Sequence, residues 1–148
     1  MPDINDRKDA LKSLYTRLID SRDGYQQLLE NAEQSAHKAI FVDMIERRTA
    51  NSAEIKSYLV NLGEPVDDDG SLLAAAHRLW VDAKAWISDG DDAIMQELIR
   101  GEESLLKAYD EAIEPATVTS PEYQFLNTQH ESLRALIDSW KADLEQAA

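Results

Sequence analysis

The sequence predicts an all-α fold, a bundle of four long helices with an additional helix in the long crossover between the second and the fourth. Three observations carry that expectation. Apolar residues recur at three- and four-residue spacings in five separate segments, the period of a helix with one buried face. Five Gly and four Pro in 148 residues are few, while Ala, Leu, Glu, Asp and Lys are plentiful, a balance that favours helices. No segment alternates apolar and polar residues as a half-buried strand would. A chain of this length suits one domain with one core, spanning residues 1–148.

The first helix is expected from about Asp6 to Asn31, with Leu11, Leu14, Tyr15, Leu18, Ile19, Tyr25, Leu28 and Leu29 on its inner face. Ser35 is placed to cap the second, from about Ala36 to Leu62. Its inner face reads Phe41, Met44, Ile45, Ile55, Tyr58, Leu59 and Leu62, and Gly63 follows where a left-handed residue would stop it. The run "EPVDDDG" (64–70) has loop composition. Ser71 is placed to cap a third, shorter helix, Leu72 to Ser88, with Leu72, Leu73, Ala76, Leu79, Trp80, Ala83, Trp86 and Ile87 on one side. "SDGDD" (88–92) breaks the chain again, and the fourth helix runs from Asp91 or Asp92 to about Ile113. After the turn "EPATVTSPE" the fifth covers roughly Pro121 to Glu145, with Phe125, Leu126, Leu133, Leu136, Ile137, Trp140 and Leu144 inside.

The first, second, fourth and fifth helices are each roughly 33–40 Å long at 1.5 Å per residue. Tight turns join one to two and four to five, while the link from two to four, about 63–90, is long and holds the third helix. Two hairpins joined by one long crossover is the ferritin-like form of an up-down four-helix bundle, and the third helix would lie across its outside or one end.

The formal net charge of −14 repels nucleic acid and anionic membranes. No apolar run approaches the ~18 residues of a membrane span, and the opening "MPDINDRKDALKS" lacks the apolar core of a signal peptide. The expected location is the cytoplasm, with neither nucleic acid nor membrane as partner and with a homodimer or another protein partner as the alternatives. No cysteine is present, so disulfides, thiolate catalysis and Cys-based metal sites are excluded.

Polar residues also point inward. Arg22 lies among Leu18, Tyr25 and Leu29, and Arg48 sits with Asn51 and Ser52 between Ile45 and Ile55. Glu102 falls mid-stripe between Leu98 and Leu105, and Gln129, with His130 at the edge, falls between Leu126 and Leu133. With one hairpin turning near 34–35 and the other near 117, Arg22 comes opposite Arg48, and Glu102 opposite residues 129–131. The expectation is a buried polar layer of Arg22, Arg48, Glu102 and Gln129, in which burial is tolerable because opposite charges are paired and hydrogen-bonded.

Ferritin-like proteins hold two metal ions at that height, by a Glu from each of two helices and Glu-x-x-His from each of the others. This chain has no Glu-x-x-His, and two arginines that cannot give up their charge would repel a dication. The best metal set obtainable is Glu30, Glu54, Glu102, Glu103, Gln129 and His130, most of which need a helix rotation to face inward. No cofactor is expected on the first reading, and iron or manganese on the second.

Four stretches, "DSRDGYQQLLENAE", "RRTANSAEI", "LGEPVDDDGSLLAAAHRLW" and "LIRGEESLLKAYDEAI", together resemble a bacterial family of ferritin-like four-helix-bundle proteins of unknown function. The specific parts are Gly70, Ser71, His77, Arg78 and Trp80 in the crossover, and Arg100, Gly101, Glu102, Glu103 and Tyr109 in the fourth helix. The chain departs from the family pattern at Asp20 and Ser21, at Leu28-Leu29-Glu30, at Asn51 and at Glu103. The resemblance implies the bundle and no established activity.

Other features carry less. His77, Arg78 and Trp80 could form a recognition patch, or Trp80 and Trp86 could anchor the third helix with His77 bonded at its rim. His37 is expected to be exposed or a local cap. Gly101 suggests close approach of another helix. No nucleophile–base triad, phosphate loop or Gly-rich nucleotide motif is present. The preferred function is a non-catalytic structural or interaction protein, and the alternative is a di-iron or di-manganese oxidase or a metal-storage protein.

Overall fold

A computed structural model describes residues 3–31, 37–66 and 91–147. These residues form four helices and no strand: α1 (Ile4–Asn31), α2 (Lys38–Asn61), α3 (Asp91–Ile113) and α4 (Pro121–Ala147). The expected third helix, the crossover motif and the Ser35 cap lie outside the described residues. No described helix is long and apolar enough to cross a membrane.

The helix ends follow from local chemistry. α1 begins two residues earlier than its apolar pattern suggests, because Asp3 and Asp6 cap each other's backbone. Asp6 N donates to Asp3 Oδ1 (2.9 Å) and Asp3 N to Asp6 Oδ2 (3.3 Å), the reciprocal form of a capping box. α2 ends at the left-handed Gly63, whose φ is 80°. Gly63 N donates to Val60 O and Glu64 N to Leu59 O, both at 2.9 Å, which closes the last turn as a Schellman motif. α3 stops two residues before Pro115, as the restricted residue ahead of a proline requires. In the following turn Ser120 Oγ accepts from Thr117 N at 3.0 Å, and Pro121 then takes the first helical position of α4.

His37 corrects an expectation. It is buried rather than exposed, makes no side-chain cap bond, and stacks on Phe41 with ring centroids 6.4 Å apart. α2 accordingly starts at Lys38 rather than Ala36.

The chain divides into two compact units, Met1–Leu14 with Gly90–Ala148, and Tyr15–Asp89. In the first, α3 and α4 pack as an antiparallel hairpin. Its buried residues include Leu11, Leu14, Ile94, Leu98, Leu105, Leu126, Ile137 and Trp140. In the second, Leu18, Ile19, Leu28, Met44, Ile55 and Leu59 are buried, and Tyr25 meets Phe41 at 6.2 Å between ring centroids. Leu29, Ile45 and Tyr58, placed on inner faces by spacing, are half-buried.

Candidate functional site

In the unit holding most of α1 and α2, the inward polar residue is Arg48, 1% exposed. It lies on the same face as Met44 and Ser52, one turn away to either side, and Ile55, two turns on. Its Nε donates to Ser21 Oγ at 3.0 Å, across from α2 to α1. Ser52, also buried, donates to the Thr49 carbonyl at 3.1 Å. Burial pushes the Tyr25 phenol well above its ordinary value, and the positive charge of Arg48 opposes that shift only in part. Arg22 stands differently. Its side chain is 30% exposed and forks onto Asp23 Oδ1, at 3.0 and 3.1 Å.

In the other unit, Glu102 and Gln129 are buried, at 3% and 4% exposure. Tyr109, fully buried one face-turn along from Leu105, donates its hydroxyl to Gln129 Oε1 at 2.7 Å. Oε1 of Glu102 and Nη2 of Arg48 are enclosed atoms that form no hydrogen bond, although neither residue is without interactions.

The hairpin register differs from the one expected. Gln129 faces Tyr109, His130 reaches Asp110 with Nε2 2.8 Å from Oδ1, and Lys141 reaches Glu103 at 2.9 Å. The turn is therefore centred a few residues beyond 117, because the hydroxyls of Thr117, Thr119 and Ser120 knit an extended turn before α4 begins. Gln129 consequently stands level with Tyr109, about 10 Å along the helix from Glu102 at 1.5 Å per residue.

Members of the metal set are engaged elsewhere. Glu30 and Glu54 are exposed, and Glu30 accepts from Gln26 at 3.3 Å. Glu103 is 48% exposed and paired with Lys141. His130 has one ring nitrogen on Asp110 and the other 3.3 Å from Glu131. Among the described residues no group of three or more His, Asp and Glu is placed to hold a metal ion. His77, Arg78 and Trp80 lie outside the described residues. Gly101 is exposed, and no described atom lies within 4 Å of where its Cβ would stand, so no described helix approaches it closely.

One buried pair lies outside the polar layer that the helical spacing predicts. Glu122, 1% exposed, accepts from Arg7 through both oxygens, Nε to Oε2 at 2.8 Å and Nη2 to Oε1 at 2.7 Å. The signal was present, since Glu122 falls on the α4 stripe one turn before Leu126 and lies in the first helical turn, where a carboxylate is favoured. A family model described as "Domain of unknown function (DUF2383)" matches residues 6–115. No curated protein and no solved structure shows a match.

Proposed function

We propose a role for a chain that belongs to the DUF2383 family of domains of unknown function: it is a non-catalytic structural or interaction protein of the cytoplasm. We take it to be a single ferritin-like four-helix bundle over residues 1–148. Its inward polar side chains hold the helices to one another in place of a di-metal centre. The observation that carries this reading is the Tyr109–Gln129 hydrogen bond at 2.7 Å. Where a metal-binding bundle would offer an ionised carboxylate, this helix face offers an amide whose oxygen is committed to a buried phenol. Within its own unit Arg48 supports the same reading, since a buried guanidinium stays charged and makes its immediate surroundings unfavourable for a cation.

Metal analysis tests the proposal on full-length protein purified without chelators and then reconstituted with iron(II) or manganese(II). The expected result is no stoichiometric retention of either metal after desalting. Retention of about two ions per chain, as a di-metal bundle holds, would overturn the reading in favour of an oxidase or a storage protein.

A further inference from the structure

A flank of α2, about 100° round the helix from its inner face, carries a pattern that the inner face does not explain. Val42, Glu46, Thr49, Ala53, Lys56 and Val60 recur at spacings of four, three, four, three and four residues. That is the 3.5-residue period of a coiled-coil seam. The inner stripe of the same helix, Phe41, Met44, Arg48, Ser52, Ile55 and Leu59, is buried. On the flanking stripe Val42 is 40% and Val60 52% exposed, two of the four large apolar side chains that the described surface leaves open. Glu46, Thr49 and Ala53 are exposed as well, and Lys56 is half-buried. The hydroxyl of Thr49 is satisfied by the Ile45 carbonyl at 2.8 Å, so the middle of the stripe is small and makes little polar demand.

The stripe is complementary to its own reverse. Laid antiparallel on a second copy with the two-fold axis at Asn51, Val42 meets Val60, Glu46 meets Lys56 and Thr49 meets Ala53, and each pair occurs twice. Apolar layers then close both ends, opposite charges fall in register between them, and small residues let the helices approach at the centre. Residue i contacting j while j contacts i is the condition for an isologous two-fold interface. Asp43 and Arg47 on the flank neutralise each other within the chain at 2.9 Å, and Lys56 also interacts within its own chain. The Glu46 pairing therefore fixes register and direction more than it supplies energy.

We propose that this face of α2 is a homodimer interface, in which α2 packs antiparallel on α2 of a second copy. The stripe is about 27 Å long, so the contact belongs to the smaller class of specific interfaces and the dimer is reversible. The inference does not depend on whether the chain binds metal.

Sedimentation equilibrium of the full chain from roughly 1 µM to 1 mM tests it. The wild type is expected to pass from monomer to dimer within that range. Glu46→Lys and Lys56→Glu each set like charges opposite one another twice, and each is expected to weaken dimerisation roughly tenfold or more. Glu46→Lys combined with Lys56→Glu in one chain restores opposite charges and is expected to restore the dimer. An equimolar mixture of the two single variants is expected to form a heterodimer tighter than either homodimer. Circular dichroism of each variant confirms that the helices persist. A wild type that stays monomeric throughout would overturn the proposal, and so would single variants that dimerise unchanged or a double variant that fails to recover.

Discussion

Two carboxylate–cation pairs of nearly equal length hold α4, one at each end, and they are not equivalent. At its start Glu122 receives a two-pronged contact from Arg7, at 2.7 and 2.8 Å, with the carboxylate 1% and the arginine side chain 19% exposed. Toward its end Lys141 meets Glu103 at 2.9 Å, with both side chains about half exposed. Distance alone would rank them together. Water separates them, because an exposed charge that loses its partner is resolvated, whereas a buried one has nothing to turn to. The first pair constrains the structure, and the second decorates it.

The strongest way to break that comparison is Arg7→Met. It strips Glu122 of its fork while the carboxylate stays enclosed, and it is expected to lower unfolding stability by about 2–4 kcal/mol in denaturant melts. Adding Glu122→Leu to the same chain is expected to recover most of that loss, since replacing both partners by apolar groups removes the stranded charge. A loss as small as an exposed pair gives, with no recovery in the double variant, would show that burial does not separate the two ends.

A buried phenol extends the same logic to pH. Tyr25 is neutral in both folded and unfolded chains below its ordinary value of 10.0. Above it the unfolded chain releases the proton and the folded chain retains it, so stability falls as pH rises. The Tyr25→Phe variant is expected to show a shallower decline between roughly pH 10 and 11.5 than the wild type. Equal slopes for the two proteins would mean that this phenol meets solvent.

Tyr109→Phe tests a neutral counterpart. It removes the donor to Gln129 Oε1 and leaves the amide buried, at an expected cost of about 1–2 kcal/mol. Gly101→Ala is expected to act in the other direction. Its Cβ would enter open space on a helix, so the variant should gain about 1 kcal/mol. A destabilised alanine variant would reveal a close neighbour beyond the described residues.

These contrasts also mark what the sequence made legible. The 3.6-residue period located α1, α2, α3 and α4, and it put Arg48, Glu102 and Gln129 on inner faces, because a helix projects every third or fourth residue to one side whatever surrounds it. The hairpin register was not legible in the same way. It depends on how the hydroxyls of Thr117, Thr119 and Ser120 share one another's lone pairs, a local geometry that composition does not encode, and a shift of a few residues moved Gln129 from Glu102 to Tyr109. The burial of His37 is hidden in the sequence for a related reason. A ring at a helix start looks exposed on a helical wheel, yet it can fold back on Phe41 one turn ahead. The Arg7–Glu122 pair joins residues 115 apart, and no periodicity reports a partner on another helix.

The smallest expected effect is the most direct control on the opening contrast. The hydrogen bond to Glu103 and then its charge raise the Lys141 pKa, with desolvation opposing the shift and Asp138 adding to it. That shift stabilises the folded chain in full below the ordinary lysine value, and the contribution is lost as pH rises from there through the raised value of the folded chain, the same sign as for Tyr25. At neutral pH, however, both partners are open to water, and the ordering of two long side chains offsets their attraction. Lys141→Ala is therefore expected to leave the denaturation midpoint unresolved from wild type, with or without added salt. A midpoint lowered as far as by Arg7→Met would place the determinant in the pair's geometry rather than in its exposure, and would remove the reason for treating the two ends of α4 differently.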